Sequence, residues 1–251
     1  SSKNINIYKK TIKSHMRRMG IDKQIKNKVI MDVGTGRQAI SFTDFKPKKI
    51  YHYDISRTNV KNFKKYIYKK KLKNIYSNNI DLVEHKLPKN KFDLVYLHGI
   101  AQHFSHTGKG LINIFDAMKP NSYLWLYFYR SGTYAHFIHA IIRKLTRHIN
   151  IEEFYKFILL FSYKSEDILL LKNNKAAADY FTASIMDTAF VDYHYLYEPK
   201  QVRLFLKENY INITGSSLEY PKTKDRVNHD LFHESVIFYC KKENIIKNKK
   251  K

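Results

Sequence analysis

Three observations along this 251-residue chain predict an α/β fold with a mostly parallel sheet. The first is an apolar strand, Val29-Ile-Met-Asp-Val33, that runs directly into Gly34-Thr-Gly36. The second is a series of short β-rich runs at 50–54, 75–80, 92–98 and 123–129, separated by stretches of helical periodicity, which is how βαβ units read. The third is a pair of runs at 210–219 and 234–240 with no helix between them, expected to close the sheet as an antiparallel hairpin with a long connection.

The elements follow in order. Residues 3–19 are predicted as an amphipathic lead helix, with Ile5, Tyr8, Ile12 and Met16 on one face. A basic helix is expected over 59–72, turning Val60, Phe63 and Ile67 inward. A further helix over 111–120 ends at Pro120-Asn121-Ser122, read as the turn into the fifth strand, where Asn takes the left-handed conformation usual for glycine. Residues 131–198 exceed what a minimal α/β unit needs and carry helical patterns at 135–145, 151–160, 167–171 and 176–189. Glu198-Pro199 opens another helix through Leu206, with proline at an early helical position. The domain plan is one elaborated domain: an N-terminal helix (1–27), a core (28–130), a helical insertion after the fifth strand (131–198), a C-terminal helix and hairpin (199–241), and a disordered basic tail (242–251).

Composition sets outer bounds. With 43% hydrophobic residues the chain can bury one sizeable core. There is no apolar run of membrane-spanning length and no signal-peptide pattern, so a soluble cytoplasmic protein with no membrane partner is expected. One cysteine, Cys240, excludes an internal disulfide and a multi-thiolate zinc site. The net charge is +24, of which residues 1–100 supply +17 and residues 101–251 supply +7. That excess reads either as a footprint for nucleic acid or as lysines spread over solvated helix faces. The second reading is preferred, because lysine far outnumbers arginine, whose planar fork suits specific base recognition.

The chemistry begins at the glycine turn. A strand that stops in Gly-x-Gly lets a ligand approach the backbone closely, and an acid ending the next strand, Asp54, can accept hydrogen bonds from ribose hydroxyls. Gly34-Thr-Gly-Arg-Gln-Ala39 matches the dinucleotide pattern G-x-G-x-x-A, with Asp54 lying 22 residues after Asp32. Asp32 argues against a dinucleotide, since a pyrophosphate would be repelled by it, whereas a cofactor carrying an ammonium and a sulfonium would not.

Asp32-Val-Gly-Thr-Gly36 resembles the first motif of class I S-adenosylmethionine-dependent methyltransferases, and Asp54 then matches their ribose-binding acid. Phe92-Asp-Leu-Val-Tyr-Leu-His-Gly-Ile-Ala-Gln-His-Phe104 is similar to the fourth-strand segment of small-molecule methyltransferases, with its His-Gly-x-x-x-His loop. The likeness spans roughly residues 28–130; the chain departs from it at Gln38, often a third glycine, and at Pro120-Asn121-Ser122, usually Pro-Gly-Gly. The resemblance implies a Rossmann-like class I methyltransferase sheet and S-adenosyl-L-methionine as cofactor. It implies cofactor contacts from Asp32, Gly34, Thr35, Gly36, Asp54, Ile55, Asn79, Asp81 and His98. The methyl-transfer region is expected at His98 and His103, with Tyr129 and Arg130 available to the acceptor and Arg130 as a carboxylate or phosphate fork. An insertion after the fifth strand is where the family places a lid, so Asp192, Tyr193 and His194 are expected as acceptor contacts or a proton acceptor; as a plain alternative, the aromatics around them build a subdomain core.

His98, His103 and His106, and separately His229 and His233, have spacings that could hold a metal, but no cysteine or carboxylate cluster accompanies them and none is expected. The Asn/Asp-Pro-Pro-Tyr/Phe signature for nucleobase amino groups is absent. The leading expectation is methyl transfer to oxygen or nitrogen of a small molecule. An RNA methyltransferase using the basic N-terminal half, or a non-catalytic cofactor-binding protein, stand as alternatives, and the oligomeric state is open.

Overall fold

The computed structural model describes residues 2–164, 185–186, 189–190, 193–217 and 235–244. Its centre is a seven-stranded sheet in the order β3-β2-β1-β4-β5-β7-β6. The strands are β1 (Val29–Val33), β2 (Lys49–Asp54), β3 (Ile75–Asn79), β4 (Phe92–His98), β5 (Met118–Tyr129), β6 (Ile211–Ser216) and β7 (Ser235–Lys242). β1 to β5 pair in parallel, and β7 runs antiparallel to both β5 and β6.

The near-continuous apolar character of β1 and β4 follows from burial on both faces, as a parallel sheet requires. One face packs Ile12 and Met16 of α1 (Ser2–Arg18), Ala39 and Phe42 of α2 (Arg37–Phe42) and Phe63 of α3 (Arg57–Lys69) against Ile30, Ile50, Leu94 and Trp125. The other packs Leu111, Ile114 and Phe115 of α4 (Thr107–Ala117) and Val202 and Leu206 of α7 (Pro199–Glu208) against Met31, Val95, Leu97 and Leu126. α3 starts where it does because Ser56 caps it, accepting a bond from the Asn59 amide at 3.3 Å.

Two boundaries differ from the sequence reading. The helix expected over 111–120 is α4, which ends at Ala117, and β5 begins at once with Met118. Pro120-Asn121-Ser122 therefore lies inside β5, at a register shift opposite Phe92 and Leu94, where a proline's missing amide breaks no regular ladder. Asn121 does take the left-handed conformation, at φ 60°.

The described chain forms two compact units. The larger holds the sheet, with residues 2–130, 196–217 and 235–244. The smaller lies within 131–195 and contains α5 (Tyr134–Thr146) and α6 (Ile151–Lys164), where Asn150 caps α6 through the Glu152 amide at 2.8 Å and Phe154 packs edge-on to Phe190 at 5.3 Å. The expected helix at 167–171, His229, His233 and the basic tail from 245 onward lie outside the described residues, as does most of the expected helix at 176–189. Among the described residues no helix is long and apolar enough to cross a membrane.

Candidate active site

From β1 the chain builds outward through β2 to β3, then returns to β4 and β5 on the other side. The direction of strand order reverses between β1 and β4, and the crevice beyond their C-terminal ends is where open α/β sheets bind ligands. The registers line up one row across the sheet, Ser77, His52, Asp32, Tyr96, Trp125 and Tyr239. Two residues further along, on the same face, come Asn79, Asp54, Gly34, His98 and Tyr127. This second row is the rim of the crevice.

Asp32 is fully buried. Its Oδ2 accepts the Ala39 amide at 3.0 Å, while Oδ1 meets no donor among the described residues. Burial raises this carboxyl to about 7; the Ala39 bond opposes the rise and the charge of Asp54 adds to it. A buried carboxylate with one oxygen to spare suits a cation.

The glycine turn is held open by its backbone. Gly34 has φ 115° and Gly36 φ 77°, and a Cβ would lie 3.1 Å from the Ile100 side chain at the first and 2.8 Å from the Phe63 ring at the second. Both backbone groups of Gly34 are tied to β2, its amide donating to Tyr53 O at 2.9 Å and its carbonyl accepting from His52 Nε2. A carbonyl only accepts, so Nε2 of His52 carries the proton and Nδ1 accepts from the Ser77 hydroxyl at 2.9 Å. Burial lowers the His52 pKa, which keeps the ring neutral in this role. Thr35 is exposed at the tip of the turn.

Asp54 is buried at the end of β2, its Oδ1 accepting the Ser56 amide at 2.7 Å and its Oδ2 accepting Asn59 Nδ2 at 3.1 Å. Each oxygen keeps a further lone pair for a ligand hydroxyl. Ile55 follows with 71% of its surface exposed, an apolar wall at the rim. Asn79 spends its amide on the Asp54 and Ile55 carbonyls at 3.0 and 2.7 Å, so it shapes the rim. Asp81 accepts the Val83 amide at 2.8 Å through Oδ1.

On the β4 and β5 side, His98 stacks on Tyr127 at 4.5 Å, and His103 stands edge-on to Tyr129 at 6.1 Å. Gln102 is fully buried, with Nε2 3.3 Å from His103 Nε2 and Oε1 without a donor among the described residues. Arg130, just past β5, forms an isolated bridge to Tyr197, whose hydroxyl donates to Thr107 Oγ1 at 2.6 Å. His106 accepts the Lys109 amide at 3.1 Å and caps α4, and no cluster of possible metal ligands occurs among the described residues.

The fold thus gathers Asp32, Gly34, Gly36, Asp54, Ile55, Asn79 and His98 at one rim. Tyr193, 44% exposed, and half-buried His194 belong to the second unit, and Asp192 lies outside the described residues. Sequence reasoning missed His15, His52, Tyr96, Gln102 and Trp125. A signal was present: His52, Tyr96 and Trp125 stand two residues before Asp54, His98 and Tyr127, the spacing of one strand face.

Residues 24–176 match a family model described as a methyltransferase domain. The chain belongs to this methyltransferase family. It is an S-adenosylmethionine-dependent methyltransferase, and the rim suits that donor: a spare carboxylate oxygen, a glycine turn open to close approach and an acid for hydroxyls. No curated protein matches the methyltransferase. Among solved structures, PKMT2 from Rickettsia typhi in complex with AdoHcy is similar at TM-score 0.63 and 15% identity, over 91% of this chain and 52% of that one. A putative sarcosine dimethylglycine methyltransferase from Galdieria sulphuraria gives 0.58 and 12%, over 94% and 85%. The YcgJ protein from Bacillus subtilis gives 0.56 and 10%, over 92% and 100%.

Proposed function

We propose that the methyltransferase transfers its methyl group to oxygen or nitrogen of a small-molecule acceptor. The observation that carries this reading is the chemistry of the β4 and β5 ends, where His98, His103, Tyr127, Tyr129 and the guanidinium of Arg130 stand together, with no track of lysines among the described residues there. Aromatic and imidazole groups with a few placed polar atoms suit a small organic ligand better than a phosphate backbone.

Bound S-adenosylmethionine supplies an already activated sulfonium methyl. The chain's part is to hold and align. Asp54 would accept bonds from the ribose hydroxyls, Ile55 would give the adenine an apolar wall, and Asp81 would offer its remaining carboxylate capacity to the base. Gly34, Thr35 and Gly36 would give close backbone approach, and Oδ1 of Asp32, without a donor among the described residues, would take the ammonium. Asn79, His52 and Ser77 hold the geometry of those groups. Arg130 and Tyr129 serve the acceptor, and Asp192, Tyr193 and His194 are assigned to acceptor choice on chain order, as part of the insertion that follows the fifth strand. Alignment in a water-poor site supplies much of the acceleration such a transfer needs.

The test is to incubate the protein with methyl-labelled S-adenosylmethionine and a cell extract split into small-molecule, RNA and protein fractions. Label in the small-molecule fraction is the expected result. Label in RNA alone, with affinity falling steeply as salt rises, would replace this reading with one that uses Lys61, Lys64, Lys65 and Lys69, all exposed on α3.

A further inference from the structure

We propose that His98 meets a carboxylate oxygen of a bound ligand as a fixed hydrogen-bond donor through Nε2–H, because Trp125 occupies the lone pair with which it could act as a base. The inference rests on the reading of this rim as the cofactor and acceptor site.

Trp125 Nε1 lies 3.1 Å from His98 Nδ1. An indole nitrogen only donates, so Nδ1 is the unprotonated nitrogen and the ring's proton sits on Nε2. The Tyr96 hydroxyl lies 3.3 Å from the same Nδ1 but 2.8 Å from His15 Nδ1, and its single proton goes to the nearer partner. The set is then consistent: Trp125 donates to His98, and Tyr96 donates to His15. No atom in it is left to pull the His98 proton across to Nδ1.

The rings that fix this arrangement do not turn easily. Trp125, Tyr96 and His15 are buried, His15 stacks on Trp125 at 3.8 Å, and His98 is held against Tyr127 at 4.5 Å. Since His15 comes from α1, the lead helix is one wall of this cluster. Burial lowers the His98 pKa to about 4 and that of His15 to about 3, so neither ring takes a second proton near neutrality; at His15 the neighbouring His98 and then Arg18 add to the effect. Nδ1 of His98 faces Trp125 in the row behind the rim, and no described residue accepts a bond from Nε2. His98 is half-buried at the rim, so this N–H is open to an oxygen brought by a ligand, and a donor already fixed in direction loses little freedom in meeting it. Two sources carry a carboxylate: the amino-acid end of the cofactor, and an acidic acceptor.

The tautomer is read by long-range 1H–15N correlation on protein labelled at histidine, with His98 assigned from its loss in His98→Phe. The expected result is one His98 form with Nε2 protonated and no titration between pH 5.5 and 8. In Trp125→Phe, which keeps a ring but removes the donor, His98 should lose this fixed form. A His98 protonated at Nδ1, one that titrates near 6.5, or one unchanged in Trp125→Phe would overturn the proposal.

Calorimetric titration with S-adenosylhomocysteine and with 5′-methylthioadenosine, which lacks the amino-acid end, then separates the sources. If His98 meets the cofactor, His98→Phe weakens the first ligand by about tenfold and leaves the second unchanged, while His98→Gln, which keeps an N–H donor, recovers part of the loss. If it meets the acceptor, both titrations match wild type and turnover falls instead, again with partial recovery in His98→Gln. Normal binding and normal turnover in His98→Phe overturn the proposal while leaving the cofactor reading intact. Failure of wild type to bind S-adenosylhomocysteine at all would overturn the cofactor reading by itself. Thermal midpoints of every variant establish that each is folded.

Discussion

Asp32→Asn should make the ligand-free protein more stable at pH 7.5 while weakening its hold on the cofactor. In the folded protein the carboxyl sits at about 7, well above the ordinary aspartate value of 3.8, and burial is the main cause. The native state therefore binds the proton more tightly than the unfolded chain. Between roughly pH 4 and 7 the unfolded chain has lost a proton that the native protein still holds, so stability falls as pH rises through that window and levels off above it. A displacement of this size corresponds to about 4 kcal/mol. Asparagine removes that cost but leaves an amide N–H where Oδ1 finds no partner, at about 1–3 kcal/mol. The first effect outweighs the second, so a net stabilisation of about 1–3 kcal/mol is expected at pH 7.5. Urea unfolding of both proteins without ligand at pH 5 and pH 7.5 measures it, and the pH dependence of wild type should flatten in Asp32→Asn. Cofactor titration should show a weaker variant, because an ammonium beside a neutral amide gains little. Equal pH slopes for the two proteins, or a variant less stable than wild type at pH 7.5, would refute a buried, charge-strained carboxylate at this site.

Three other outcomes are expected. Asp54→Ala should weaken S-adenosylhomocysteine binding by about 1.5–3 kcal/mol, and Gly34→Val should abolish it, since the new side chain meets Ile100 at a backbone angle that L residues rarely adopt; normal titrations in both would move the cofactor elsewhere. His52→Phe should lower both the thermal midpoint and cofactor affinity by cutting the ties from Gly34 O to His52 and on to Ser77, with Ser77→Ala milder in both measurements; a variant matching wild type in each would show that the glycine turn holds its shape alone. Tyr193→Phe and His194→Ala should lower turnover far more than cofactor affinity once an acceptor is in hand, and full activity in both would return the acceptor role to His103, Tyr129 and Arg130.

The proposed cofactor half of the site is the part a sequence can display, because it is built from contiguous segments. Asp32 to Gly36 and Asp54 with Ile55 each sit where a strand ends, and an apolar run followed by glycine or an acid marks that point without knowledge of what lies beside it. Pro120 was misplaced for the opposite reason: next to a helix, Pro-Asn-Ser reads as a turn, and only pairing with Phe92 and Leu94 shows that the strand has already begun. The same limit hid the inner row. His52, Tyr96 and Trp125 gain their roles from neighbours on other strands and from His15 on α1, so their meaning depends on register, and spacing within one strand specifies a face without specifying its partners. That difference explains why the donor could be named and the acceptor could not. The cofactor is recognised by local turns and strand ends. On the proposed reading the acceptor side is built from side chains of several strands, where even His98 takes its hydrogen bond from Trp125, 27 positions away, and a sulfonium methyl asks for alignment rather than a nucleophile motif that a sequence would display.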